Sequence, residues 1–282
     1  MKNSMKNLMV VTMLLCGISF GQEAVASTED SSVKVSGEFS TDITFGDAVT
    51  FVSPYTGITF SSDGWELSTN LSDGMVNIEE AKYSWSLTDD VTLTFGSQAE
   101  PYGLAWGLHR PSNNWFVSTP RDHNVTNGVG VGVDKWGVGI NLFYGGGAEH
   151  SLEDTEGDHY WATRISYGFS VLGIDSNVGL SLNSNEAQLV DVSVGNNLFS
   201  TSFEYDLSEE ADGAYWLRGV VTPPQAQGAF LLLGYNSEEV VTYGVGYKCS
   251  DNMKVISEFT SGKDSDGNDI ENDFAIRASY SF

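Results

Sequence analysis

Beyond residue 32 the chain is built on a two-residue beat. Val33, Val35, Phe39, Ile43 and Phe45 alternate with Lys34, Ser36, Glu38, Ser40, Asp42 and Thr44. A period of two places successive side chains on opposite faces of a strand, whereas a helix repeats every three to four residues. The beat returns in Val91, Leu93 and Phe95, in Val129, Val131 and Val133, in Val138, Ile140, Leu142 and Tyr144, and in Phe199, Phe203 and Tyr205. It closes the chain with Phe274, Ile276, Ala278, Tyr280 and Phe282. Read this way, the strands are 33–46, 50–60, 64–72, 76–87, 91–100, 128–135, 137–146, 159–169, 172–182, 187–195, 198–206, 214–222, 228–236, 240–248, 253–262 and 272–282. That is about 16 strands, with boundaries good to a few residues; 12 or 14 also fit the pattern.

Alternation alone is shared by soluble sandwiches and closed barrels, and the polar face separates them. Here it is mostly Ser, Thr, Asn, Gly and scattered carboxylates, with little lysine, as suits a wet interior. The apolar face carries rings near strand ends, among them Phe45, Trp65, Tyr83, Trp85, Trp136, Tyr144, Trp161, Tyr167, Tyr205, Tyr215, Tyr247 and Tyr280. Rings so placed form the interfacial belts of a bilayer-spanning antiparallel β-barrel, the expected all-β fold. The connections sort by parity as well. Short turns fall at Ser62-Asp63, Thr88-Asp89-Asp90, Asp134-Lys135-Trp136 and Gly195-Asn196-Asn197, whereas Pro101 to Asn127, Gly145 to Asp158, Leu207 to Gly213 and Lys263 to Glu271 are long. Outer-membrane barrels keep periplasmic turns short and external loops long.

The amino terminus changes the picture of where this barrel goes. Lys2 and Lys6, the apolar run Leu8 to Ile18 and the small-x-small sequence Ala24-Val25-Ala26 read as a cleaved secretory leader, residues 1–26. The barrel is then 27–282, and no linker divides it. Of the 13 basic and 38 acidic side chains in the whole chain, the leader holds two lysines and one acid. The remainder is strongly anionic, which excludes nucleic acid as a partner because phosphate binding needs a basic surface. No cofactor and no dedicated metal site are expected. Asp264-Ser265-Asp266-Gly267-Asn268-Asp269 is the nearest approach to a calcium loop, but an EF-hand pattern would put its glycine at Asp269 and its final glutamate at Ala275.

The last segment, Phe274 to Phe282, with its alternation and terminal aromatic residue, resembles the carboxy-terminal signal of outer-membrane barrels. By that resemblance Tyr280 and Phe282 are recognised by the barrel-assembly machinery. Thr94 to Leu104, which ends a strand and opens the longest loop, resembles the matching stretch of the phosphate-selective porin O/P group, and the whole pattern is similar to general porins of Gram-negative bacteria. The resemblance implies a homotrimer and a third external loop folded into the lumen as a constriction. With so few basic residues, the chain departs from the cationic path that phosphate selectivity requires.

The loop 101–127 holds His109, Arg110, Arg121, Asp122 and His123, and the strand before it ends in Glu100. Opposed charges across a narrow pore orient polar solutes and set ion preference, so these six are the expected constriction residues. Glu38, Asp42, Arg164, Glu204, Arg218, Glu258 and Arg277 fall on the polar parity of their strands and are expected to face the lumen. A basic residue turned toward lipid at mid-membrane would cost about 2–4 kcal/mol. Acids outnumber bases on that wall, which predicts a weak cation preference. The acidic external loops, such as Glu149, Glu153, Asp154, Glu209, Glu210, Glu238 and Glu239, suit solvation and divalent bridging near lipopolysaccharide and outer-membrane lipid. The expected activity is thus passive diffusion of small hydrophilic solutes and ions, without catalysis. A barrel hydrolase is the rival, built on His109, His123, His150 or His159 with Asp122, but no G-x-S-x-G or H-E-x-x-H pattern accompanies them. A closed structural or adhesive barrel is the third possibility.

Overall fold

The computed structural model describes residues 33–45, 49–72, 75–104, 114–117, 125–146, 159–208, 213–226, 228–263 and 269–282. Its strands are β1 (Lys34–Phe45), β2 (Val49–Ser62), β3 (Trp65–Ser72), β4 (Met75–Thr88), β5 (Val91–Ala99), β6 (Val125–Lys135), β7 (Val138–Gly146) and β8 (His159–Val171). They continue with β9 (Ile174–Asn183), β10 (Gln188–Gly195), β11 (Phe199–Asp206), β12 (Tyr215–Val221), β13 (Ala229–Asn236), β14 (Val241–Lys248), β15 (Met253–Lys263) and β16 (Asp269–Ser281). Each strand pairs antiparallel with its neighbours in sequence, and β1 pairs with β16, so the sheet closes on itself. A closed sheet satisfies every strand edge internally.

The strand count matches the periodicity, and boundaries agree within a few residues. The largest differences are at β6, which begins at Val125 rather than 128, and β16, which begins at Asp269 rather than 272. Asn127-Gly128 reads as turn punctuation in the sequence. In the barrel Gly128 is a strand position whose missing Cβ accommodates the Phe143 ring; a Cβ there would lie 2.6 Å from it. The long loop therefore ends before Val125, not at Asn127.

The two rims differ. At one, the turn end, tight turns place Asp63-Gly64, Trp136-Gly137 and Leu172-Gly173 at positive φ. These two-residue reversals match the right-handed twist of their strands. Asn196 organises another turn by accepting from the backbone N–H of Leu198 and Phe199 at 2.8 and 3.1 Å. The chain terminus closes the seam here: Gly37 N–H donates to Phe282 O at 3.0 Å and Phe282 N–H to Gly37 O at 2.9 Å. The opposite rim, the loop end, carries the long connections.

The outer face is apolar. Val129, Leu142, Ile165, Leu217, Leu233 and Val245 are all exposed. Two aromatic belts bound this band. At the loop end Phe45, Phe274, Phe259 and Tyr243 follow one another at centroid spacings of 5.3, 4.8 and 5.7 Å, and Tyr235, Tyr215 and Phe203 continue the row at 6.0 and 6.4 Å. At the turn end Phe39, Tyr280 and Phe282 adjoin at 5.6 and 6.5 Å, and Trp65, Tyr83, Trp85 and Tyr167 are exposed nearby. A soluble monomer rarely exposes more than a few hundred Å² of contiguous apolar surface, and this band encircles the barrel.

Candidate functional site: the barrel interior

The long loop enters the barrel because β5 parts from β4. The β4–β5 ladder runs out at Ala81↔Ser97, whereas β5–β6 continues to Ala99↔Val125. Gly96 makes the departure possible at φ 115°, where a Cβ would sit 2.1 Å from the Ala81 carbonyl oxygen. Glu80 fills the gap, its Oε1 accepting from Ala99 N–H at 3.1 Å. The buried Glu100 carboxylate then accepts from Tyr160 Oη–H on β8 at 2.6 Å and from Thr126 Oγ1–H at 3.4 Å. Three residues further, Gly103 N–H donates to Ser181 Oγ on β9 at 3.0 Å, and Leu104 N–H donates to Glu204 Oε2 on β11 at 2.7 Å.

Residues 114–117 dock on the far wall. Asn114 Oδ1 accepts from Phe116 N–H at 3.0 Å, which folds the segment into a tight turn. Lys254 Nζ donates to Asn114 O at 2.7 Å, and Val117 N–H donates to Glu258 Oε2 at 2.8 Å. Phe116 packs into a cluster with Val220, Phe230, Leu232 and Ile256, and Trp115 meets the Phe230 ring edge-on at 4.9 Å. Gly246 lets Phe230 lie flat on the wall: a Cβ there would be 2.0 Å from the ring. The Arg218 guanidinium stands 4.6 Å from the Phe116 ring centroid and 5.8 Å from that of Trp216, within cation–π range.

The seven residues expected on the inner wall are all buried, and several are already engaged. Arg277 grips Asp42 with two nitrogens at 2.7 Å each, and its Nη1 also donates to Phe116 O at 3.4 Å. Arg164 grips Asp191 in the same forked way, with Nη2 2.7 Å from Oδ1. Glu204 and Glu258 hold loop N–H groups, as above. Glu38 lies on β1 among the buried polar residues. Of the six constriction candidates only Glu100 falls within the described residues, and its carboxylate is turned to Tyr160 and Thr126 at the loop's root; His109, Arg110, Arg121, Asp122 and His123 lie outside them. Of the histidines weighed for hydrolysis, His109, His123 and His150 also lie outside, and His159 opens β8. Among the described residues no group of three or more His, Cys, Asp or Glu is placed to hold a metal ion.

The sequence reading missed Glu80, Ser181, Asp191 and Lys254. Trp115 and Phe116 fall inside the loop 101–127, but nothing in the local sequence names their partners. A signal was present. Ala229-Phe230-Leu231-Leu232-Leu233 is apolar on both parities, and a barrel strand apolar on its inner face needs something to cover it.

The opposite wall is open. Along β4–β7 runs a cavity of about 270 Å³, lined by Lys82, Ser84, Thr94, Gln98, Gly130 and Asn141 among others. On β6 the glycines Gly128, Gly130 and Gly132 alternate with the outward Val129, Val131 and Val133, so this stretch of strand presents only backbone to the interior. Lys82 Nζ lies 3.0 Å from Glu80 and 3.4 Å from Glu66.

The fold of this chain, a closed 16-strand sheet, is similar to that of solved structures. A multiple mutant of the Rhodopseudomonas blastica porin superposes with a TM-score of 0.63 at 12% identity, covering 89% of this chain and 100% of that one. The fold is that of the porins. A second mutant of the same porin gives a TM-score of 0.64 at 13% identity over the same shares. The outer-membrane-expressed OmpT of Vibrio cholerae gives 0.58 at 14% identity, covering 92% of this chain and 100% of that one. No family model and no curated protein matches the sequence. At such identities the porin likeness speaks for the backbone alone.

Proposed function

We propose that this porin-fold chain is a passive diffusion channel for small hydrophilic solutes and ions in the outer membrane of a Gram-negative cell. The observation that carries the reading is the inversion of the barrel: an apolar exterior between two aromatic belts around an interior of ionised and hydroxylated side chains. Such a surface is stable only in a bilayer, and such an interior only in water. Residues 1–26 serve as the export leader and are removed. Tyr280 and Phe282, which also close the β1–β16 seam, present the chain to the barrel-assembly machinery. The acidic external loops face lipopolysaccharide, and three copies associate as a trimer. The long loop narrows the lumen, with His109, Arg110, Arg121, Asp122 and His123 at the constriction. The channel prefers cations weakly, because Arg277 and Arg164 are neutralised by Asp42 and Asp191 while Glu80, Asp89, Asp90 and Asp134 outnumber the paired lysines Lys82 and Lys135 along the open wall.

Purified protein added to a planar lipid bilayer should give stepwise, ohmic conductance increments, and a salt gradient should give a reversal potential of cation-preferring sign. A barrel hydrolase would instead turn over ester or peptide substrates, with the activity lost in His123→Ala. A structural barrel would insert without steps. Failure to conduct, or a clear anion preference, would contradict the corresponding part of the reading.

A further inference from the structure

The turns at the turn end are not alike. Asp63-Gly64, Trp136-Gly137 and Leu172-Gly173 each reverse the chain with both residues at positive φ, the first of each pair at 27°, 55° and 53°. A reversal of this hand is made most cheaply by Asn, Asp or Gly in its first place, because a bulky side chain there crowds the backbone. Asp63 obeys that rule. Trp136 and Leu172 do not, and neither side chain offsets the cost by packing on the barrel, since Trp136 is 87% exposed and Leu172 98%. Two hairpins thus hold a large apolar residue in an unfavourable conformation and leave it bare.

The surroundings of these tips point to what covers them. Val138 on β7 pairs with Tyr167 on β8, and Gly168 N–H donates to Gly137 O at 2.7 Å, so the two hairpins stand side by side. On β8 the outward row Tyr167, Phe169 and Val171 is exposed and runs directly into Leu172, with the two rings stacked at 5.7 Å. The apolar band therefore continues here to the last residue of the hairpin. Trp136 lies at the lip of the turn-end mouth, which Asp90, Asp134 and Val138 also border, with Lys135 Nζ 5.0 Å from its ring centroid and 2.6 Å from Asp90. An indole beside a lysine suits the headgroup layer, where the ring lies among the glycerol groups and the stem of the lysine reaches toward phosphate. Three other tips are acidic. Asp63 and Asp89 are exposed, and the Asp251 side chain on the β14–β15 turn is 98% exposed. Carboxylates gain nothing from anionic headgroups and stay in water.

We propose that Trp136 and Leu172 are seated in the phospholipid headgroup layer of the periplasmic leaflet, so that the membrane boundary runs lower along β6–β9 than at β2–β5 and β14–β15, where the acidic tips stand in water. Belt residues lie on strands and mark where a bilayer ends; these two lie past the last strand pair and draw that boundary down on one side. The occupant is lipid and not a periplasmic protein, because the exposed row that leads to Leu172 is continuous with the surface facing the bilayer. Lipid accommodates a local shift of a few Å in its boundary at modest cost. The inference rests on the reading of the chain as a bilayer-spanning barrel, is independent of conduction, and adds an uneven seating.

The test uses the full mature protein folded into phospholipid vesicles. A fluorescent side chain is placed in turn at positions 136, 172, 63 and 251 and quenched either by lipid carrying a nitroxide at the headgroup or by aqueous iodide on both faces. Position 142, in mid-band, is the control and is quenched by brominated acyl chains. Positions 136 and 172 should lose about half their emission to the labelled lipid and less than about a fifth to iodide, and 63 and 251 should show the reverse. A paired substitution gives opposite signs for the two cases. Trp136→Asn with Leu172→Asn relieves the turns, so it would stabilise tips that meet only water, whereas loss of the seating should lower the folding equilibrium constant in vesicles about tenfold by urea unfolding. The seating is overturned if iodide quenches 172 as strongly as 63, the result a protein-docking tip would give in pure lipid, or if the Asn pair leaves the equilibrium constant unchanged or raises it. Access of iodide, and not of brominated lipid, to position 142 is a different result: it removes the bilayer-spanning barrel itself.

Discussion

The wall of β11–β16 and the wall of β4–β7 belong to one sheet and share one backbone geometry, yet their inner faces are opposites. The first carries Val220, Phe230, Leu232 and Ile256, and these bury Phe116 of the long loop. The second carries Thr92, Thr94, Gly130, Gly132 and Asn141, with the Phe143 ring set aside against Tyr160, and a cavity remains. The difference is one of side-chain volume at alternate positions. Large apolar residues on an inner face create a cost in water that only a docked partner removes. Glycine at the same parity costs nothing in water and leaves room. A barrel can therefore be closed on one side and open on the other without any change in strand pairing.

Four substitutions would break or sharpen this contrast, taken from the largest expected effect. Arg277→Met leaves Asp42 buried without its cation and removes the donor to Phe116 O; a loss of about 3–5 kcal/mol is expected in urea unfolding from detergent micelles. Adding Asp42→Asn should restore much of it. Phe116→Ala removes the loop's main anchor and should weaken its docking by about 3 kcal/mol, seen as new protease cleavage in the loop and a larger conductance. Gly96→Val forces a β-branched residue to φ 115° against the Ala81 carbonyl. About 1–3 kcal/mol of strain should appear as a lower unfolding midpoint. Lys135→Ala breaks an ion pair whose partners are both about half exposed, so unfolding should move by less than about 1 kcal/mol and the difference should vanish in high salt.

Much of this architecture is legible from sequence, because the requirement that produces it is local. A strand between lipid and water must alternate, and β1, β6, β7 and β11 do so almost without exception. The interior is less legible, since its contacts join residues far apart in the chain. Glu258 and Val117 are 141 positions apart, and Asp42 and Arg277 are separated by 235. Parity says that these side chains point inward, but not which of them meet. Glu100 illustrates the limit. Its position at the mouth of the loop suggested a charge at the constriction, whereas Tyr160 on β8, with no mark in the local sequence, draws it to the wall.

The most direct measurement is of the alternation itself. An environment-sensitive fluorescent side chain is placed in turn at residues 129 to 133 of β6 in the protein folded into lipid vesicles, and quenched by brominated lipid from one side and by aqueous iodide from the other. The odd positions should be quenched by lipid and the even ones by iodide, with a strict two-residue period. Uniform access to iodide at all five, or a period near 3.6, would contradict a barrel wall that separates bilayer from water.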